Sequence, residues 1–274
     1  MTLLQAVILG IFQGIAEFLP ISSSGHLVLL ENIFKINEGE IFFTVMLHFG
    51  TLISILIVYF KDICKIVVSF FQIIGKLFSR EKVRLDNESK VLTVMLIVGT
   101  IATGLIYIVF GDFFESLYSS LVAVGIALIV TGFLLMISER TNSGRKTAKN
   151  MTIVDAIIVG LFQGFAIIPG VSRAGSTIVG GLFRGFDKTL ATKFSFLMAI
   201  PAIGGASLIE LLKVLFGDQS VGFSLPLLVG VILSTVTGVF AIRILIRVLE
   251  RGKLYYFSYY VWAIGGIIIL TQFL

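Results

Sequence analysis

Apolar residues run along this chain in blocks too long for the interior of a soluble globule. A helix needs about 20 predominantly apolar residues to cross the hydrocarbon core of a bilayer. Six blocks reach that length: Ile41–Phe60, Val91–Phe110, Ser119–Ser138, Leu190–Leu212, Phe223–Val248 and Tyr255–Leu274. Two more, Leu3–Phe34 and Ile153–Phe186, are interrupted by Pro20-Ile-Ser-Ser-Ser-Gly25 and Pro169-Gly-Val-Ser172. Proline stops one helix and serine caps the next, so each predicts two half-helices joined by a turn. Non-helical backbone persists at membrane depth only where protein or water surrounds it, which favours re-entrant hairpins over kinked spans. Between them, Lys61–Lys90 alternates basic and apolar residues and predicts an amphipathic helix on the membrane surface.

The two broken blocks resemble each other at an offset of 150 residues. Ala6, Ile8, Gly10, Phe12, Gln13, Gly14, Ala16, Ser22 and Gly25 match Ala156, Ile158, Gly160, Phe162, Gln163, Gly164, Ala166, Ser172 and Gly175. Apolar bias alone does not generate a shared Phe-Gln-Gly and a shared serine. Each half is a hairpin followed by three spans, about 1–139 and 150–274. An odd number of spans inverts the second half, and inverted repeats meet at broken helices near the midplane. The predicted fold is an all-α polytopic membrane protein, a single domain over 1–274, with six transmembrane helices, two re-entrant helical hairpins and an inverted-topology repeat.

Composition agrees. Hydrophobic residues make up 57% of the chain, charged residues 14%, and the mean hydropathy is +1.05. That is too little polar surface for a soluble domain. The net charge of +5 does not indicate a nucleic-acid partner, because the basic residues label topology. Eighteen of the 21 Lys and Arg residues fall in segments 61–90, 140–149, 184–193 and 243–253, which the hairpin arrangement puts on one side. Lys35 and Lys213 fall opposite, and Arg173 lies inside the second hairpin. The crowded side is then cytoplasmic. Both termini and the entrance of the first hairpin face outward. A single cysteine, Cys64, excludes a disulfide framework or multi-thiolate metal site.

Polar groups at membrane depth are costly and point to function. The first hairpin carries Gln13, Glu17 and His26; the second carries Arg173. Gln13 and Glu17 are one helical turn apart, as are Ser23 and His26. Half-helix N-termini present unpaired N–H groups to an anion. Ser22, Ser23, Ser24, Ser172, Ser176 and Thr177 supply hydroxyls, while Gly25, Gly170 and Gly175 allow close backbone approach. Arg173 can grip a phosphate with two parallel bonds. Glu17 would repel that phosphate unless a divalent cation lay between, and the oxygen donors of Gln13 and Glu17 suit magnesium or calcium. Ser23 beside His26 is the smallest arrangement that activates a hydroxyl. Two plainer readings coexist: Glu17 and Arg173 as a structural ion pair between the halves, and His48 as a histidine satisfied within the bundle.

The run Gln13-Gly-Ile-Ala-Glu17-Phe-Leu-Pro20-Ile-Ser-Ser-Ser-Gly-His26, with Pro169-Gly-Val-Ser-Arg173-Ala-Gly-Ser-Thr177, resembles the bacterial undecaprenyl-diphosphate phosphatase family, also called bacitracin-resistance proteins. The resemblance covers the whole chain. It implies hydrolysis of a polyprenyl diphosphate, undecaprenyl diphosphate, to undecaprenyl phosphate and inorganic phosphate at the bacterial plasma membrane. That reaction recycles the lipid carrier for peptidoglycan synthesis, and the charge bias, which has the first hairpin entering from outside, favours a site open to the outer face. In the family the first motif begins with Glu or Gln; Gln13 removes one charge from the metal site and leaves more to Glu17. Ser commonly follows the Arg of the second motif, and Ala174 allows no hydroxyl role here. Ser23, His26, Ser172, Arg173 and Thr177 match positions the family uses. The acid-phosphatase-like lipid phosphatases, which share Ser-Gly-His and Ser-Arg, need a second histidine where Val179 stands.

Three nucleophiles stay open at this point: Ser23 activated by His26, His26 itself, and water. The rival functional class is a secondary transporter or lipid flippase, since inverted repeats are transporter architecture. Either class admits a homodimer.

Overall fold

The computed structural model describes residues 1–35, 41–139, 144–216 and 224–273. The expected span ends at Phe223 and Leu274, and residues 140–143 of the basic loop, lie outside the described residues. Among the described residues the regular structure is helical, apart from an isolated bridge between Lys146 and Phe186.

Both broken blocks form two helices each. α1 (Leu3–Phe18) begins with a reciprocal cap between Thr2 and Gln5 and ends where Leu19 turns extended before Pro20. α2 (Ser23–Phe34) starts at Ser22, whose side chain accepts the Gly25 N–H. Correspondingly, in the second half, α7 (Ile153–Phe165) begins with a reciprocal cap between Thr152 and Asp155, and α8 (Arg173–Phe183) starts at Ser172, which accepts the Gly175 N–H. These caps satisfy N–H groups that have no acceptor within the helix.

The intervening helices are α3 (Ile41–Val58), α4 (Phe60–Phe78), α5 (Glu88–Ser116) and α6 (Leu121–Glu139). The second half continues with α9 (Lys188–Phe216), α10 (Leu225–Glu250) and α11 (Tyr255–Leu270). Four of them, α5, α6, α9 and α10, are long and apolar enough to cross a membrane, and the bent pair α3–α4 makes a fifth candidate. Three expected boundaries change. The block Ile41–Phe60 ends as a helix at Val58 and turns by 87° into α4. The amphipathic helix stops at Phe78 rather than reaching Lys90, which belongs to α5 behind the cap of Asn87. The last helix has 16 residues, which at 1.5 Å per residue is about 24 Å, short of a full hydrocarbon thickness.

Packing is crosswise between the halves. α1 lies along α10 and α7 along α5, while α6 pairs with α11 and α3 with both α9 and α10. Small residues make the close contacts: a Cβ at Gly10 would sit 2.6 Å from the Gly230 carbonyl oxygen, and one at Gly125 would sit 3.0 Å from that of Gly265. Hydroxyls join the same helices, with Ser54 donating to the Thr235 carbonyl at 2.8 Å and Thr103 to the Gly160 carbonyl at 3.0 Å. Without a hydrophobic force between helices in lipid, small residues and interhelical hydrogen bonds hold such bundles together. Outward-facing positions are apolar, among them Ile101, Leu105 and Ile108 on α5 and Ile232, Val236 and Phe240 on α10. This protein is built for a bilayer.

Basic segments gather at one end. Lys193 pairs with Asp62 at 2.9 Å, and the Lys188 ammonium donates to the Glu250 carbonyl at 3.2 Å. Nearby, the fully buried Asp155 takes Lys146 and Arg184, each at 2.8 Å. Asp155 begins α7 and Arg184 follows α8, so the two ends of the second hairpin meet.

Candidate active site

The two helix breaks touch tip to tip. A Cβ at Gly25 would come within 3.0 Å of Gly170 Cα, and one at Gly175 within 3.2 Å of Pro20 Cβ. The starts of α2 and α8 are therefore brought together with a glycine on one side of each contact, and Gly170 adopts φ +95°, which a side chain would resist. Ser22 is the tip's strained residue, with φ 68° and ψ 94°. Such a conformation costs about 1–3 kcal/mol in a residue with a Cβ and persists only where its surroundings fix it. Here the Ser22 side chain caps α2 and its carbonyl faces His26 Nδ1 at 2.9 Å.

Glu17 is the centre of the site. It projects from the last turn of α1, and its carboxylate is buried. Oε1 accepts from Arg173 Nη2 at 2.6 Å, which joins the two hairpins. Oε2 accepts from the Ser23 hydroxyl at 2.7 Å and from Gln13 Nε2 at 2.9 Å, and lies 3.1 Å from His48 Nδ1. Gln13 Nε2 is itself 2.7 Å from His48 Nδ1. Gln13 and Glu17 do share one helix face, and the breaks place Ser23 and Arg173 over it.

His26 occupies a separate setting. Its Nε2 lies 3.0 Å from the Tyr260 hydroxyl, and Phe12 covers the ring at a centroid distance of 5.1 Å. The sequence spacing paired Ser23 with His26, but the Ser23 hydroxyl is held by Glu17 instead. Ser24 is 3.3 Å from Ser22, oxygen to oxygen. The Ser172 backbone N–H donates to the Thr131 hydroxyl at 3.1 Å, and Thr131 in turn donates to the Gly170 carbonyl at 3.0 Å. Thr177 turns away from the tip: its hydroxyl meets the Arg173 carbonyl at 2.8 Å and the Ser195 hydroxyl at 2.5 Å.

Among the described residues, three buried polar atoms at the tips have no partner: Arg173 Nη1, Ser176 Oγ and Gln13 Oε1. Two can donate. A buried donor left unpaired costs about 1–3 kcal/mol, so Arg173 and Ser176 each offer an open donor at the tips. No group of three or more His, Cys, Asp or Glu side chains gathers to hold a metal among the described residues.

Two site residues escaped the sequence reading. His48 reaches Glu17 because α3 is tied to α10 through Ser54 and Thr235; its signal was an imidazole inside an apolar helix, and that was read as bundle packing. Tyr260 comes from the last helix, 234 residues from His26, and carries no local signal.

Comparison with known proteins places this arrangement. The family described as bacitracin resistance protein BacA matches residues 6–267. An undecaprenyl-diphosphatase of Alkaliphilus metalliredigens is 50% identical over 279 residues, covering 100% of both chains. Those of Halothermothrix orenii and Carboxydothermus hydrogenoformans are 44% and 42% identical, covering 98% of this chain and 98% and 97% of their own. With the match running from the first helix to the last, this chain belongs to the bacitracin resistance protein BacA family.

Proposed function

We infer that this protein hydrolyses undecaprenyl diphosphate to undecaprenyl phosphate and inorganic phosphate in the bacterial plasma membrane, and so recycles the lipid carrier and confers bacitracin resistance. The full-length relatives of that name support the substrate. The observation that carries the chemistry is the contact of Glu17 and Arg173 across the two tips, with Arg173 Nη1 buried and unpaired.

In this reading the terminal phosphate docks on Arg173, the Ser176 hydroxyl and the first-turn N–H groups of α2 and α8. Ser22, Ser24, Gly25, Gly170 and Ser172 shape the turns that expose those groups. Thr177 acts at one remove, by tying the Arg173 turn to α9. Ser23 Oγ attacks the terminal phosphorus and passes its proton to Glu17, the carboxylate it already contacts. The bond from phosphorus to the bridging oxygen breaks, and undecaprenyl phosphate leaves as the anion. Water then cleaves the phosphoseryl bond. His26, held between the Ser22 carbonyl and Tyr260, supplies the second proton-transfer group. A divalent cation, magnesium or calcium, belongs to this reading: Gln13 and Glu17 would hold it, as the unpartnered Gln13 Oε1 suggests, and it would supply charge neutralisation at the diphosphate oxygens.

The same reading takes α11 as the sixth span and both hairpins as re-entrant, with termini outside and the site open outward. The Asp155–Arg184 contact at the base of the second hairpin supports the return of that hairpin to its own side. The end where Lys188, Lys193 and the α10 terminus meet supports a common cytoplasmic face.

Purified protein in detergent is the test. It has no second compartment, so release of phosphate from undecaprenyl diphosphate marks a hydrolase. Absence of release under conditions where the lipid binds would point to a transporter.

A further inference from the structure

At the end of the bundle where the basic segments gather, α9, α10 and the α3–α4 bend surround a cavity of about 150 Å³. The Tyr59 ring, Ile246 and Leu249 line it with apolar surface. Lys188, Thr189 and Lys193, from the first turns of α9, line it with ammonium and hydroxyl groups. Its depth follows from α4, which leaves α3 at 87° beside Tyr59. That helix exposes Phe60, Val67 and Phe71 together with Lys61 and Lys65, the pattern of a helix lying in the interface. In the reading that makes this end cytoplasmic, the cavity opens at the level of the inner-leaflet headgroups.

Positive charge at the cavity is only partly engaged. Lys188 gives one of its three N–H groups to the Glu250 carbonyl at 3.2 Å. Lys188 and Thr189 also begin α9, and the first N–H groups of a helix lack acceptors within it and carry the positive end of its dipole. Asp187 caps the Leu190 N–H at 2.7 Å. Two neighbouring carboxylates are held elsewhere: Asp62 takes Lys193 at 2.9 Å, and Glu139 takes the Leu254 N–H at 2.6 Å. Glu250 sets one negative charge of the lining against two ammoniums. A phosphodiester carrying a hydrocarbon chain satisfies both kinds of surface. A free anion would leave the apolar part wet, and a lipid without net charge would leave the ammonium excess unanswered. Basic pockets between helices at the cytoplasmic side suit anionic headgroups.

We propose that this cavity binds one anionic glycerophospholipid of the cytoplasmic leaflet, with its phosphate on Lys188 and the first turn of α9 and an acyl chain against Tyr59, Ile246 and Leu249. The site is separate from the helix tips, yet α9 connects the two: further along it, Ser195 meets the hydroxyl of Thr177, which also bonds the Arg173 carbonyl. A lipid on the first turn of α9 therefore steadies the helix that braces the Arg173 turn.

The test uses full-length protein in neutral detergent, delipidated and then titrated with phosphatidylglycerol or phosphatidylcholine of the same acyl chains, with bound lipid counted by native mass spectrometry. Wild type should retain a single phosphatidylglycerol and bind it about tenfold or more tighter than phosphatidylcholine. Lys188→Gln should weaken phosphatidylglycerol on the order of tenfold, the scale of one charge-assisted hydrogen bond, and Lys188→Arg should restore it. Ile246→Trp, which fills the apolar part, should weaken both lipids and reads the cavity without touching its charge. Lys76→Gln, on α4 away from the cavity, and Arg173→Lys should bind as wild type. Equal retention of the two lipids, or unchanged binding in Lys188→Gln, would overturn the site. So would binding lost in Arg173→Lys alone, which would put the lipid at the helix tips, or displacement by inorganic phosphate at equal concentration, which would assign the ammonium to a free anion. Phosphate release from undecaprenyl diphosphate is measured separately, so failure of this site leaves the hydrolase reading standing.

Discussion

The first hairpin, α1–α2, and the second, α7–α8, share a reciprocal cap at the outset, a serine cap after the break and a glycine at the tip contact. Their chemistry does not match. Where the first has Glu17, Ser23 and His26, the second has Ile167, Arg173 and Ser176 at the same offset, and His48 of the following helix corresponds to Met198. Gln13 faces Glu17 and His48, while its counterpart Gln163 donates to the Met198 carbonyl at 3.2 Å. Burial differs as well. Ala174 through Leu182 of α8 are all buried, against only Gly25, His26 and Leu27 of α2. Under the proposed function the second hairpin is a frame that contributes one guanidinium, and the first, less buried hairpin is the reactive arm.

The strongest way to break this contrast is to remove charge from each hairpin in turn. Glu17→Gln leaves Arg173 buried without its partner, a change of about 3–5 kcal/mol when one member of a buried pair is lost. Phosphate release should fall by roughly 10²–10⁴-fold, the usual contribution of a positioned proton acceptor, which Glu17 is to Ser23 in the proposed mechanism. Asp155→Asn removes a charge that is equally buried but lies at the base of the frame. Its thermal midpoint should drop by several degrees, read by a detergent-compatible unfolding assay, while turnover of the folded protein changes no more than a few-fold. Equal losses of activity in the two variants would erase the distinction between arm and frame.

Smaller effects sharpen it. Tyr260→Phe deletes one hydrogen bond to His26, worth about 0.5–1.5 kcal/mol, so kcat should fall about two- to tenfold with KM little altered. Gln163→Ala should leave kinetics near wild type, whereas Gln13→Ala should weaken activity, measured in the same phosphate-release assay. Identical behaviour of the two glutamines would say that both serve only packing.

Much of the frame was legible in the chain itself. Pro20 and Ser22, and Pro169 and Ser172, mark the breaks because proline and serine act locally on hydrogen bonding. The α3–α4 bend was not legible: hydropathy runs unbroken from Ile41 through Phe60, and neither proline nor glycine stands at Tyr59. Glu17 and Arg173 stood out because an ionisable group in so apolar a stretch needs a reason. Which hydroxyl or imidazole each would face was set by tertiary packing. Spacing placed Ser23 and His26 on one helical face, yet the crossing of α1 and α2 turned Ser23 to Glu17, and α11 brought Tyr260 to His26. His48 joined the site through the packing of α3 on α10, which no local pattern announces.

The central claim is that one guanidinium from the frame completes a phosphate site on the arm. Arg173→Lys keeps the charge and removes the planar fork that carries both Glu17 and the unpaired Nη1. Phosphate release from undecaprenyl diphosphate by the purified variant, measured beside wild type in the same detergent, tests the claim most directly. A fall in kcat of about 10²–10³-fold, the usual cost of losing one preorganised donor, is the predicted result. Turnover within a few-fold of wild type would contradict it.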